Sequence, residues 1–151
     1  MWNILTLDGC FEGLKSWELY WHPYVWGPEL ERFSLDQLHT ADWLLFGRVT
    51  YEGMAAYWQT QTGEVADFMN RLPEIVFSRS LAVANWEKQG LFDEYRLAVA
   101  PVLLGRGRAL FGPNPHRTRL RLLEAKPLSN GCVILRYEPD RTPTDANQTP
   151  V

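Results

Sequence analysis

A glycine, an arginine and a threonine stand close together where a buried strand is predicted to end and a helix to begin. They are Gly47, Arg48 and Thr50, in the stretch LLFGRVTYEGM at residues 44–54. A glycine lets an anion approach the backbone, and a guanidinium and a hydroxyl can both donate to phosphate oxygens. Ligands of open α/β sheets bind at such strand ends, so the pattern predicts a phosphate site. The alternative is that Gly47 only allows a tight turn after the strand, that Arg48 is a solvated surface charge and that Thr50 caps the helix.

A second set of the same residue types follows the next predicted strand. Ser78, Arg79 and Ser80 come directly after the apolar run that ends at Phe77. Neighbouring parallel strands end at the same edge of a sheet, so we expect this set to lie beside the first. Arginines and hydroxyls at two strand ends suit a ligand with separated phosphates, such as NADPH. Ordinary surface polarity after a buried strand explains the second set equally well.

Hydrophobic periodicity predicts the elements that must position these residues. In the first half we expect a strand at 4–7, a helix opened by Gly27-Pro28 and reaching about His39, a strand at 43–46, two amphipathic helices, and a strand at 75–77. Strand, helix and strand in succession imply a parallel pair with a right-handed crossover. The aromatic segment 10–26 has no clean period and is interpreted as loop and turn.

The C-terminal half has the alternation of half-buried strands. Apolar residues repeat at every second position from Tyr95, from Leu120 and from Val133. Asn130-Gly131 predicts a turn that pairs the last two strands antiparallel. The polar run after Pro139 is expected to be a flexible tail at 140–151, which leaves a single domain at 1–139.

Composition excludes several classes of protein. The chain has 151 residues, a net charge of -3 and a pI near 5.6, which give no overall electrostatic case for nucleic acid or an anionic membrane. No apolar run approaches the roughly 20 residues that cross a bilayer, and no signal peptide is evident, so we expect a cytoplasmic protein. Cys10 and Cys132 are interpreted as two reduced thiols. The histidines show no ligand spacing, so no metal site is expected.

Several stretches, in order along the chain, resemble the dihydrofolate reductase-like family. The FGRVTYE stretch is similar to the family's GR-x-T-(W/Y)-E signature after a strand. The group it resembles more closely includes the C-terminal reductase domain of the bacterial riboflavin-biosynthesis protein RibD. The other matching stretches are LTLDGCFEG at 5–13, VFSRSL at 76–81, GLFDEYRLAVAPVLLGRGRALF at 90–111 and VILRYEP at 133–139. This resemblance implies an α/β fold with a mixed sheet flanked by helices and an antiparallel C-terminal hairpin.

The same resemblance implies an NADPH-dependent reductase of a pterin- or pyrimidine-type heterocycle, similar to the 5-amino-6-(5-phosphoribosylamino)uracil reductase of riboflavin biosynthesis. By this resemblance the first set of residues would contact cofactor phosphates and the second set the 2′-phosphate side. The cofactor-binding residues implied are Gly47, Arg48, Thr50, Ser78, Arg79 and Ser80.

The resemblance also places Asp8 and Gly9 near the point where nicotinamide and substrate meet. Hydride delivery to a C=N or C=O group needs an acid that provides or relays a proton. Asp8 is the first candidate for this catalytic role, followed by Glu12 and Glu29. The alternative is that Asp8 only forms a turn.

The sequence departs from the family between VFSRSL and GLFDEYRL. Relatives carry a few dozen residues there, including a helix, a strand and a Gly-Gly loop that contacts the cofactor pyrophosphate. Here Trp86 runs almost at once into Glu87 and Gly90. Each lost hydrogen bond costs about 1 kcal/mol or more, which weakens NADPH binding. The chain is then a pared-down family member, a sequence that omits a segment, or a subunit whose sheet a partner completes.

Two further features bear on the substrate. Five aromatic residues crowd one loop and could stack a flat heterocycle, although a core or subunit interface is the commoner explanation. They are Trp17, Trp21, His22, Tyr24 and Trp26. Gly105-Arg106-Gly107 could approach a substrate phosphate, or could belong to a solvated strand face. Gly9, Trp21 and Gly105 are the predicted substrate-binding residues.

We therefore expect a homodimeric reductase that acts on a small heterocyclic molecule, with no nucleic-acid or membrane partner. The competing hypothesis is a binding or assembly module that keeps the scaffold without turnover. The seven tryptophans allow the two to be separated by following NADPH binding through fluorescence.

Overall fold

The computed structural model describes residues 1–77, 92–111 and 118–141. Its elements mix helices and strands throughout, which confirms the α/β class. The strands are β1 (Trp2–Thr6), β2 (Cys10–Glu12), β3 (Leu44–Gly47), β4 (Glu74–Phe77), β5 (Tyr95–Ala100), β6 (Arg108–Ala109), β7 (Leu120–Pro127) and β8 (Val133–Pro139). The helices are α1 (Pro28–Leu38), α2 (Arg48–Trp58) and α3 (Glu64–Arg71), with a 3-10 turn at His22–Tyr24.

The described strands form three sheets. The largest has four strands in the order β1-β5-β8-β7, with β1 parallel to β5 and the other two pairs antiparallel. The parallel pair β3-β4 forms a second sheet and the short antiparallel pair β2-β6 a third. The predicted parallel pair and the predicted C-terminal hairpin are both confirmed. The burial predicted for the strands at 43–46 and 75–77 is wrong, because no residue of β3 or β4 is buried and Trp43 and Leu45 are more than half exposed. Among the described strands, none bridges β1 and the β3-β4 pair.

Helix α1 covers one face of the four-stranded sheet. Pro28 occupies its first position after the extended N-cap Gly27, as predicted, and Leu30 is fully buried. Trp2 on β1 packs edge-to-face on Phe33, with ring centroids 5.1 Å apart. The core cluster contains Trp21, Val25, Leu30, Ala98, Ala100, Leu128, Cys132 and Ile134.

The hairpin between β7 and β8 is tied to the start of α1. The Asn130 side chain donates to the Val25 carbonyl at 2.8 Å and accepts the Cys132 N–H at 3.1 Å, while Gly131 takes a φ of 84°. Glu29 accepts the Ser129 N–H at 2.8 Å. These bonds hold the turn between β7 and β8 against the N-terminus of α1.

A carboxylate just before β5 joins this strand to β8. Glu94 accepts from Arg96 Nε at 2.8 Å and from Arg136 Nε at 2.7 Å, and Arg136 also donates to Glu124 at 3.0 Å. The arginine donors lower the pKa of Glu94 to about 2. This network stabilises the end of the sheet opposite the hairpin.

The prediction of half-buried strands needs correction for β7, which has no buried residue and is exposed at all but one position, and for β5. Leu97 and Ala98 point to opposite faces of the strand, yet both are buried. Ala98 belongs to the core cluster that contains Leu30 of α1. The face of β5 that carries Ala98 is therefore buried, as is the face that carries Leu97. The prediction of loop for residues 10–26 was wrong for Cys10–Glu12, which pairs with β6.

Candidate functional site

The N-terminus of α2 is open and carries Arg48 as its first residue. The helix follows β3 directly, its N-cap is Gly47, and no side chain caps it. The first turn holds no acidic residue, and residues 47–50 are all exposed. Unpaired N–H groups and the helix dipole give such an end a partial positive charge. The arrangement fits an anionic ligand, and the capping role considered for Thr50 is not seen.

Arg48 makes a surface ion pair within its own helix. Its Nη1 lies 2.7 Å from Glu52 Oε1, four residues along, and both side chains are more than half exposed. Exposed pairs of this kind contribute little, about 0.3–0.5 kcal/mol in helices. A guanidinium has five N–H donors, so the pair leaves donors for a phosphate. Arg48 is therefore neither buried nor committed to an internal carboxylate.

Asp8 ties together the ends of β1 and β5. Its Oδ1 accepts from the Thr6 hydroxyl at 2.5 Å and from the Leu104 N–H at 3.3 Å, and its Oδ2 accepts from the Gly105 N–H at 2.8 Å. The Thr6 hydroxyl, followed by the Gly105 N–H, lowers the pKa of Asp8. The side chain is therefore a carboxylate at neutral pH, and it accepts hydrogen bonds without donating any.

Three glycines present open backbone around this carboxylate and at the helix. A Cβ built on Gly9, Gly47 or Gly105 would meet no atom within 4 Å. Gly9 and Gly105 have φ values of 79° and 68°, a region in which other residues are strained. The structure thus brings Asp8, Gly9 and Gly105 together and leaves room for a ligand against each glycine.

Trp21 does not lie at this site, which corrects its predicted substrate-binding role. None of its surface is accessible, and it belongs to the α1 core cluster. A ring with no open face cannot stack a substrate. The neighbouring His22 packs edge-to-face on it at 4.4 Å, and burial lowers the pKa of His22 to about 4.

The two other candidate acids are engaged in structural contacts. Glu12 is buried, lies 2.7 Å from Arg108 Nη1 and accepts the Trp17 N–H at 2.8 Å. Glu29 is bound to Ser129 at the hairpin, and this contact lowers its pKa. Neither carboxylate shares the Asp8 contacts.

Trp17 packs on α2, a position that the sequence did not predict when it placed this residue in the aromatic cluster. It has a φ of 66°, and a Cβ built on Gly53 would overlap its Cε2, Cζ2 and Nε1 atoms. Left-handed backbone costs a non-glycine residue about 1–2 kcal/mol. A glycine inside a helix costs about 1 kcal/mol relative to alanine, so Gly53 within the amphipathic pattern was the signal for this contact.

The second predicted set, Ser78, Arg79 and Ser80, lies outside the described residues, as do Trp86 and Glu87. Their roles therefore stay predictions. Within the described ranges, no group of three histidine, cysteine, aspartate or glutamate side chains is placed to hold a metal ion. No described helix has the length and apolar character needed to cross a membrane.

Residues 84–134 match the family described as the RibD C-terminal domain. The chain is similar to this family over that segment, about a third of its length. The match includes β5, the Gly105 loop, β7 and the turn that leads into β8, and it confirms the resemblance inferred from the motifs.

Solved structures share the fold over almost the whole chain. A protein from Shewanella sp. PV-4 that is named for riboflavin biosynthesis has a TM-score of 0.66 at 18% identity, over 93% of this chain and 97% of its own. A pyrimidine reductase-like protein from Corynebacterium diphtheriae gives 0.57 at 15%, over 93% and 90%. RibD from Acinetobacter baumannii gives 0.59 at 15%, over 93% of this chain.

This chain spans 59% of the length of the Acinetobacter RibD chain. Among curated proteins, the uncharacterized protein YyaP of Bacillus subtilis (strain 168) is 26% identical over 139 residues, which are 87% of this chain and 73% of YyaP. At these identities the structural matches establish the dihydrofolate reductase-like fold, and the activity has to be argued from the site.

Proposed function

We propose that the protein is an NADPH-dependent reductase of a pterin- or pyrimidine-type heterocycle and that it acts in the cytoplasm. The observation that carries the proposal is the open, uncapped N-terminus of α2, with Arg48 as its first residue and Gly47 facing free space. Such an end binds phosphate through backbone N–H groups and the helix dipole. The family relation supports the same reaction class.

On this proposal the cofactor phosphates lie against the start of α2. The Gly47 backbone allows close approach, Arg48 donates from its remaining N–H groups, and the Thr50 hydroxyl lies in the same exposed turn. Ser78, Arg79 and Ser80 follow β4, which runs parallel to β3, and are proposed to hold the 2′-phosphate side. When bound, NADPH supplies the hydride.

The substrate is proposed to lie against the loops that leave β1 and β5. Asp8 offers carboxylate lone pairs, and Gly9 and Gly105 leave backbone open. Leu7 and Leu103 flank these loops and are 65% and 70% exposed. Apolar side chains beside a hydrogen-bond acceptor suit a planar heterocycle that carries ring or amino N–H groups.

We propose that Asp8 orients the group that donates the proton and does not itself carry that proton. Its lowered pKa keeps it ionised at neutral pH, so it can orient a substrate N–H or a water by accepting from it. A water held in this way would take a proton from bulk solvent as it passes its own to the group that has accepted the hydride. Asp8 also keeps the Gly105 loop against β1.

NADPH titration with tryptophan fluorescence tests the proposal. We expect saturable quenching by the wild-type protein and at least tenfold weaker binding by Arg48→Ala. The matched control is Arg121→Ala, another exposed arginine whose ion pair with Glu138 lies on the β7-β8 pair. No quenching at millimolar NADPH, or equal binding by Arg48→Ala, contradicts the proposal.

A second candidate is a binding or assembly module without turnover. It is favoured by the separation of the β3-β4 pair among the described strands, since Leu45 and Ile75 on the pair and Trp43 just before β3 are exposed. Single-turnover assays with NADPH and candidate pyrimidines separate the two, because a module binds without oxidising NADPH.

We also propose a homodimer, supported by exposed Leu120 and Leu122 on β7. A monomer by analytical ultracentrifugation at micromolar concentrations contradicts the dimer.

A further inference from the structure

Trp17 is held in a conformation that it would not adopt unaided. Its φ of 66° is the one positive value at a non-glycine residue within the described ranges. Its N–H donates to Glu12 Oε2 at 2.8 Å. Residues in this region of backbone conformation persist when their surroundings fix them, and they cluster at ligand sites. Trp17 is fixed by Glu12.

Glu12 is in turn fixed from β6. Only 9% of its side chain is accessible, and its Oε1 lies 2.7 Å from Arg108 Nη1, which also donates to Ser16 at 3.1 Å. A buried carboxylate without a cationic partner is strongly disfavoured. The Glu12–Arg108 ion pair therefore holds two neighbouring residues of the loop. Arg108 binds Ser16, and Glu12 binds the N–H of Trp17.

The other side of Trp17 meets the proposed cofactor helix. Its indole occupies the space that a side chain at Gly53 would need. Gly53 lies three residues after Thr50 and four after Val49, so the three share one side of α2. The rise of 1.5 Å per residue puts Gly53 about 7 Å along the axis from Arg48. The indole therefore packs on the second turn of α2, one turn away from the open end of the helix.

From these contacts we propose that Glu12 and Arg108 are positioning residues that pin residues 13–20 against α2, so that the Trp17 indole forms one wall of the ligand site at the start of that helix. The ligand class is a planar heterocycle carried on an anionic group, which the indole contacts with its apolar face. The inference rests on the proposed cofactor site and adds residues that the strand-end motifs do not contain.

The pinning is tested first without ligand. Lys15 is an exposed trypsin site within the pinned segment. Glu12→Gln removes the charge that Arg108 and the Trp17 N–H bind, so we expect cleavage after Lys15 to be at least fivefold faster. Glu138→Gln, which removes a surface ion pair on β8, is the matched control. Equal cleavage rates for Glu12→Gln and wild type overturn the pinning.

The wall is tested by NADPH titration of Trp17→Ala and Gly53→Ala. The alanine at position 53 displaces the indole while favouring the helix, so we expect about tenfold weaker binding with an unchanged melting temperature. Trp17→Phe keeps an aromatic face and should recover most of the affinity. Unchanged affinity in both alanine variants overturns the wall while leaving the reductase proposal standing.

The two proposals fail differently. If the wild-type protein does not bind NADPH, the proposed function and the wall both fall, and cleavage at Lys15 still decides the pinning. If the wild type binds and Arg48→Ala does not, the cofactor site stands, and the Trp17 and Gly53 variants alone decide the wall.

Discussion

Asp8 and Gly105 are joined by a 2.8 Å hydrogen bond from the Gly105 N–H to the Asp8 carboxylate, across 97 residues of sequence. The bond holds the loop after β5 against the loop after β1. Both loops leave the same edge of the sheet because β1 and β5 are parallel. The proposed substrate side of the site therefore depends on one surface carboxylate.

Replacement of Asp8 by asparagine should loosen the Gly105 loop. The amide keeps an acceptor but loses the charge, and one of the N–H groups of Leu104 and Gly105 loses its partner. We expect the Gly105 amide to exchange its hydrogen several-fold faster, as measured by hydrogen exchange mass spectrometry. Asp36→Asn, on the exterior of α1, is the control. Unchanged exchange at Gly105 would show that the carboxylate does not hold the loop.

Acid should destabilise the protein through His22 at a pH where most carboxylates are still ionised. The folded-state pKa is about 4 and the ordinary value is 6.5, so the unfolded chain binds the proton first as pH falls. The stability contributed by neutral His22 is complete above pH 6.5 and is lost between 6.5 and 4. From pH 7 to 5 this amounts to roughly 2 kcal/mol.

Urea unfolding at pH 7 and pH 5 measures this loss. His22→Gln should show a smaller difference between the two pH values than the wild type. His39→Gln is the matched control, because His39 is exposed beside Glu64. A pH dependence that survives in His22→Gln contradicts the assignment to this side chain.

Loss of the Glu94 charge should weaken the sheet. Glu94→Gln leaves Arg96 and Arg136 without their shared carboxylate in a partly buried position, so we expect a loss of about 1–3 kcal/mol in the free energy of unfolding. Because the pKa of Glu94 is lowered, its contribution to the free energy of unfolding is present above pH 4.5 and is lost as the pH falls toward 2. Denaturant titration of Glu94→Gln against Glu138→Gln measures the difference, and equal midpoints refute it.

The burial of Trp21 in the core predicts a large loss of stability when its side chain is removed. Its indole is fully buried, so Trp21→Ala should remove about 3–5 kcal/mol of stability through the cavity that it creates. Trp26→Ala is the control, since Trp26 is 41% exposed in the same segment. If thermal unfolding of Trp21→Ala matches that of Trp26→Ala, the indole is not a core residue.

The sequence predicted best where one local signal decides the structure. Proline at the first helical position marked α1, the i, i+3, i+4 pattern marked α2 and α3, and Asn130-Gly131 marked the hairpin. Each of these signals acts within a few residues. The strand ends at Gly47 and Asp8 followed from the same local patterns.

Contacts between distant segments could not be predicted in this way. The three-residue β2 pairs with β6 almost a hundred residues later, and neither strand is long enough to show a period. Trp21 and Trp17 belong to one aromatic segment of the sequence, yet one fills the core and the other packs on Gly53. The sequence shows that this segment is aromatic. Only the tertiary packing decides which of its residues enters the core and which packs on α2.

The separation of the β3-β4 pair from the four-stranded sheet has a consequence for how the molecule opens. Among the described strands the pair has no hydrogen-bonded neighbour on either outer edge, and Phe68 on α3 packs on His39 just after α1. Segments attached through side chains can detach at a lower free energy than those within a continuous ladder. Residues 44–77 should therefore exchange their amide hydrogens as one cooperative unit, in advance of global unfolding.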